Sequence, residues 1–169
     1  MVVVREALAS DAEAILAFCQ QIGSETDNLS YGEEGLSISV ADEEILLDKI
    51  QKSKTSHFLV AEEAGELVGT CNCSAFHKTR LAHRAEIGIA VKRDYWHQGI
   101  GRQLLTQLVI LAQQSGLKVL SLEVRSDNKR AIQLYEHLGF QKIGTFEHFM
   151  EIDGKAIDFD IMELLLEKK

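Results

Sequence analysis

The stretch from Ala85 to Ser115 constrains the fold most. Ala85 to Lys92 alternates as a strand does, with Ile87, Ile89 and Val91 on one side. A glycine turn follows, Gln98-Gly99-Ile100-Gly101, and then a helix to Ser115. Leu104, Leu105, Leu108, Leu111 and Ala112 make a broad apolar stripe on that helix. A strand feeding so wide a stripe calls for a layered α/β structure.

The remaining elements extend this unit. Val2 to Arg5 reads as a short strand, and Ser10-Asp11-Ala12-Glu13 as a capping box opening a helix to Ile22. Gly23 to Ala41 is polar, a loop or broken helix, and Asp42 is expected to cap a second helix ending near Lys52. His57 to Glu63 and Leu67 to Ala75 form a hairpin around Ala64-Gly65-Glu66. After the Gly116 cap come a strand from Lys118 to Val124 and a helix from Asn128 to Leu138. Thr145 to Ile152, an Asp153-Gly154 turn of type I′ and Lys155 to Leu166 close the chain as a hairpin. The expected order is β-α-α-β-β-β-α-β-α-β-β, a mixed sheet with helices on both faces, in one domain over 1–169.

Composition narrows the function. The net charge of −8 argues against a nucleic-acid partner. No apolar run approaches the roughly 20 residues that span a bilayer. The start, Met1-Val2-Val3-Val4-Arg5, lacks the pattern of a signal peptide, so a cytoplasmic protein with no membrane partner is expected. Cys19, Cys71 and Cys73 fit buried thiols, and no ligand set for a metal is apparent. Charge is uneven: Lys92 to Arg130 carries +4 and the rest −12. The basic segment suits a polyanionic cofactor, and the acidic remainder favours a cationic substrate.

Two constellations carry chemistry. The first amides of the helix after the glycine turn have no partner within it and lie at the positive end of its dipole. Gly99 and Gly101 are expected to let a phosphate approach the backbone. The dinucleotide fingerprint fails at Leu104, and no Walker lysine follows. In the second constellation Asn128, Ala131 and Tyr135, spaced by three and four, share one helix stripe. An amide, a small residue and a phenol thus point one way.

These residues resemble the acetyl-CoA site of GNAT-type N-acetyltransferases. Gln98-Gly99-Ile100-Gly101 is similar to the core of that family's Q/R-x-x-G-x-G/A motif, and Asn128-x-x-Ala131-x-x-Leu134-Tyr135-x-x-x-Gly139-Phe140 to its following motif. One departure is Trp96, which stands at the Gln/Arg place. The resemblance implies the GNAT fold, with acetyl-CoA as co-substrate. It implies that the backbone of Ile89, Ala90 and Val91 pairs with the pantetheine arm, and that His97, Gln98, Gly99, Ile100, Gly101, Arg102 and Gln103 hold the pyrophosphate. Asn128 bonds the arm beside Ala131, and Tyr135 protonates the departing thiolate. Lys92, Arg93, Arg102, Lys129 and Arg130 are candidates for the phosphates.

An alkyl amine has a pKa of about 10.4, so deprotonating it at pH 7 costs roughly 4.6 kcal/mol. A base is needed. Glu86 and Glu123 are the candidates, each a glutamate inside an apolar strand, with ion pairing to Arg84 or Arg125 as the plain alternative. Glu123 holds a position used as a base in ribosomal-protein N-terminal acetyltransferases. Glu86 is slightly preferred for a small amine, and His77, His83 and His148 are further candidates. The expected function is direct acetyl transfer from acetyl-CoA to a primary amine of a small, cationic molecule. A protein N-terminal acetyltransferase and a non-catalytic CoA-binding regulatory module are the alternatives. The closing hairpin is expected to cover the pocket or to form a homodimer contact.

Overall fold

The computed structural model describes residues 1–166. Seven strands form one sheet: β1 (Val3–Glu6), β2 (His57–Glu63), β3 (Glu66–Ala75), β4 (Arg84–Val91), β5 (Val119–Arg125), β6 (Gln141–Ile152) and β7 (Lys155–Leu165). Their order across the sheet is β1-β2-β3-β4-β5-β7-β6. Every pairing is antiparallel except that of β4 with β5. The helices are α1 (Ala12–Glu25), α2 (Val40–Lys52), α3 (Ile100–Gln114) and α4 (Lys129–His137). The element order is the one the sequence predicts.

Alternation along the strands divides the core into two layers. Leu59 and Ala61 of β2 join α3 in one cluster, where Leu104, Leu105 and Leu108 are fully buried. Burying each leucine stabilises the fold by about 2 kcal/mol. Val60, between them on β2, joins Ile15, Phe18 and Ile22 of α1 and Leu47 of α2 on the other face.

Both expected helix caps are displaced. The Ser10–Glu13 box does not form, because Arg5 of β1 draws Asp11 into a bidentate pair at 2.8 and 2.9 Å. The Asp11 carboxylate also accepts the Leu8 amide at 2.8 Å, so Ala9–Asp11 is a short 3-10 turn and α1 starts one residue later. At α2 the cap is Ser39, whose Oγ accepts the Asp42 amide at 3.1 Å and donates to the Asp42 carboxylate at 2.8 Å. Strand β6 starts at Gln141, ahead of the expected Thr145, because residues 141–145 pair with β7. Asp153 and Gly154 have φ of 51° and 73°, as a type I′ turn requires.

Candidate active site

The site begins with a failed pairing. β4 and β5 are matched only at Arg84–Val119, Ala85–Leu120 and Glu86–Ser121. Beyond Glu86 and Ser121 they part, while β4 stays paired to β3 as far as Val91 and β5 to β7 as far as Arg125. The gap opens into a cleft of about 810 Å³. That is the size of a small-molecule or cofactor site. Ile89, Ala90 and Val91 line it, and the Val91 carbonyl already accepts the Trp96 indole N–H at 2.8 Å.

At one end lies the turn into α3. Gly99 has φ of +80° and His97 of +62°. A side chain at 99 would be strained by that φ, although nothing stands within 4 Å of its Cβ position. The first amide bonded within the helix is that of Gln103, to the Gly99 carbonyl at 3.0 Å. The amides of Ile100, Gly101 and Arg102 precede it and face the cleft's end uncapped. This is a place for a polyanion. Gly101 has a packing reason to be glycine as well. A Cβ there would meet Leu134 at 3.3 Å, so the residue permits α3 to pack on α4. His97, Gly99, Ile100, Gly101 and Arg102 all line the cleft, whereas Gln98 and Gln103 do not. Gln98 donates its amide to the Asp94 carbonyl instead.

The basic candidates separate. Arg102 and Arg130 line the cleft. Lys92 is buried in an ion pair with Glu66, and Lys129 bonds the Ser126 carbonyl. Trp96, the departure from the motif, lines the cleft with the Arg130 guanidinium 4.1 Å from its ring centre. This cation–π contact holds Arg130 at the end of the cleft beside the turn into α3.

Tyr135 and Glu123 belong to opposite faces. Tyr135 of α4 is 7% exposed within the α3 cluster, yet it borders the cleft. Burial, and secondarily Cys71, holds its hydroxyl well above the usual phenol range, so it stays protonated. Asn128 and Ala131 also line the cleft, and Asn128 doubles as the α4 cap, its Oδ1 accepting the Ala131 amide at 3.3 Å. Glu123 alternates with the buried Leu122 and Val124 and lies on the α1–α2 face. It lines the cleft, and Glu86 does not. Burial, then the charge of Glu86, raises the Glu123 carboxyl above the usual carboxylate range. Both glutamates keep access to solvent, so the burial of the Glu123 carboxyl is partial. Neither takes the expected arginine: Arg84 pairs with Glu163, and Arg125 with Asp27 and Asp127. His77, His83 and His148 are outside the cleft lining. Cys71 and Cys73 are buried thiols, the latter pushed up to about 11.

Two groups bordering the cleft contain residues that sequence reasoning did not name, although it offered the closing hairpin as a cover for the pocket. Thr26, Asn28, Leu29 and Ser30, just after α1, line its α1–α2 side. Arg125 ties this segment to β5 through Asp27 at 3.1 Å. Phe149, Met150 and Phe159 of the closing hairpin line it too, so the hairpin walls the pocket.

Known proteins share this architecture. The model of the acetyltransferase (GNAT) family matches residues 25–140. An acetyltransferase of the GNAT family from Streptococcus pneumoniae superposes with a TM-score of 0.95 at 32% identity, covering 98% of this chain and 99% of that one. The yncA structure from Salmonella typhimurium, solved with its cofactor acetyl-CoA, superposes with a TM-score of 0.87 at 21% identity, over 100% and 96% of the two chains. N-alpha-acetyltransferase RimI from Mycobacterium tuberculosis is 34% identical over 102 residues, 60% of this chain. The match spans less than two thirds of that relative's length, 63%.

Proposed function

The chain belongs to the acetyltransferase (GNAT) family, and we propose that it transfers acetyl from acetyl-CoA directly to a small primary amine, cationic in its resting state. One observation carries the reading: the β4–β5 gap separates a protonated phenol on one face from a carboxylate on the other. A donor and an acceptor can meet there from opposite sides of the sheet.

The residues fit the co-substrate. The uncapped amides at Ile100, Gly101 and Arg102, with Arg102 and Arg130 beside them, suit its pyrophosphate. The parted edge of β4 at Ile89 and Ala90 offers backbone groups to an extended arm. When bound, acetyl-CoA supplies an activated acetyl thioester. Asn128 keeps its side-chain NH₂ to orient the arm. Glu123 takes the proton of the acceptor ammonium, directly or through water, which leaves the amine nucleophilic. Tyr135 gives its proton to the departing sulfur as the bond from the acetyl carbon to sulfur breaks, and the nitrogen, shedding its second proton as the amide forms, returns one to the phenol through water. The apolar surroundings that hold the phenol's proton also raise the basicity of a thiolate formed beside it. Glu86 serves here as the neighbour that raises Glu123 rather than as the base. On its three free, buried thiols, which suit a reducing compartment, we assign the reaction to the cytoplasm.

The test is CoA release from acetyl-CoA over a panel of amines, with Tyr135→Phe and Glu123→Gln beside the natural protein. Turnover reduced about 10²–10⁴-fold in either variant, with acetyl-CoA binding intact, supports the roles given. Full activity in both sinks them. Binding of acetyl-CoA with no turnover on any amine favours the regulatory module. The RimI relative, an N-alpha-acetyltransferase by name, supports a second reading in which the acceptor is a peptide terminus. Short peptides in the panel decide between the two.

A further inference from the structure

On the Glu123 face the wall of the cleft is aromatic. In the β5–β7 ladder Glu123 faces Ile161 and Arg125 faces Phe159, so the Phe159 ring stands on the Glu123 side of the sheet. Phe159 is 4% exposed, and Phe149 lies against it with ring centres 4.9 Å apart. Phe146 stacks on Phe149 at 5.2 Å. This grouping is built by an irregularity. Residues three apart on a regular strand point to opposite faces. Between Phe146 and Met150, however, the register with β7 shifts, and His148 takes a φ of +51°. The bulge brings Phe149 round beside Phe146 and Phe159, and the His148 amide pins it by donating to Asp158 at 2.8 Å. Phe149 is 45% exposed and borders the cleft, so an aromatic ring is held open to the site.

The charge around this wall is sparse. Among the described residues, Glu123 is the one carboxylate lining the cleft. The acidic excess of the chain therefore lies elsewhere. Arg125 also borders it, but its guanidinium is spent on the Asp127 carboxylate at 2.8 and 2.9 Å and on Asp27. Among the described residues that line this side, a substrate carboxylate finds no free cation, and an ammonium finds no carboxylate besides Glu123, since Glu86 stands behind it outside the lining. Attraction of an ammonium to phenylalanine rings falls short of the cost of stripping its water.

Resting on the acetyl-transfer reading above, we infer that the Phe149–Phe159 wall is the acceptor subsite and that it selects a primary monoamine with an uncharged aromatic or bulky apolar body. Glu123 receives the amine, and the rings take the body from water.

The experiment measures acetyl-CoA-dependent CoA release with 2-phenylethylamine, ethylamine, spermidine, L-phenylalanine and a short peptide with a free N-terminus. Acetyl-CoA binding is followed separately by calorimetry. The expected result is a kcat/KM for 2-phenylethylamine at least tenfold above every other acceptor. Phe149→Ala should raise KM for 2-phenylethylamine about tenfold with little change in kcat, closing the gap to ethylamine, and Phe149→Leu should restore most of it. A preference for spermidine, the amino acid or the peptide overturns the inference and leaves acetyl transfer standing. A KM for 2-phenylethylamine indifferent to Phe149→Ala overturns it too. Acetyl-CoA binding without turnover of 2-phenylethylamine also overturns it, and loss of acetyl-CoA binding itself removes both readings.

Discussion

In the proposed mechanism Glu123 acts only when ionised, so its surroundings set the pH at which the enzyme works. Its carboxyl is raised by burial and then by the like charge of Glu86. As pH rises through that raised value the base ionises, and kcat/KM should climb with an apparent pKa above the roughly 4.3 of a free glutamate. A neighbouring negative charge disfavours ionisation, so its removal eases it. Glu86→Gln should therefore move the acid limb to lower pH without abolishing it. A pH profile from 4 to 9 reads this directly, and an unmoved limb contradicts the assigned coupling. Sequence periodicity sets each glutamate opposite the apolar residues of its own strand, and the β4–β5 register puts the two on one face. Periodicity cannot tell which borders the cleft, since that depends on where β4 and β5 separate.

Among the elements, the packing of α2 against α1 carries an unusual feature. Glu43, in the first turn of α2, is 1% exposed, and its Oε2 has no hydrogen-bond partner among the described residues. Burial raises its carboxyl above the usual range. The folded chain thus holds this proton more tightly than the unfolded chain. Its contribution to stability is full below about pH 4.3, the unfolded value, and is lost as pH rises through the folded pKa. Glu43→Gln mimics the protonated acid. It should leave the melting temperature nearly unchanged at pH 4 and raise it at pH 8, by about 1 kcal/mol of stability. Thermal melts at the two pH values check this, and an equal effect at both contradicts it. The caps illustrate how long-range contacts override local rules. Ser10 and Glu13 have the right spacing for a capping box, but Arg5 reaches Asp11 from a strand that also pairs with residue 62, and the turn reorganises around that ion pair.

For the molecule as a whole, the proposed co-substrate bridges parts that the sheet alone does not join: the end of β4, the turn into α3 and the face of α4. Binding to the folded state only adds about 2.7 kcal/mol at a hundredfold excess over Kd. For a chain of this size that corresponds to about 5–10 °C in melting temperature. Acetyl-CoA should give such a shift, and Gly99→Ala, strained at φ +80°, should reduce it. A shift of full size in that variant argues against the turn as the phosphate site. The sequence by itself determined the order of strands and helices, the leucine stripe of α3, the type I′ hairpin turn and the glycine turn into α3. Each of these is written in residues that are near neighbours along the chain, where propensity and periodicity act. Only the tertiary structure decided that Glu123 borders the cleft, that Trp96 carries Arg130, that residues 26–30 close over β5 through Arg125, and that a bulge turns Phe149 into the site. Those features arise from pairing between segments far apart in sequence, and from the place where a pairing stops, which local rules do not encode.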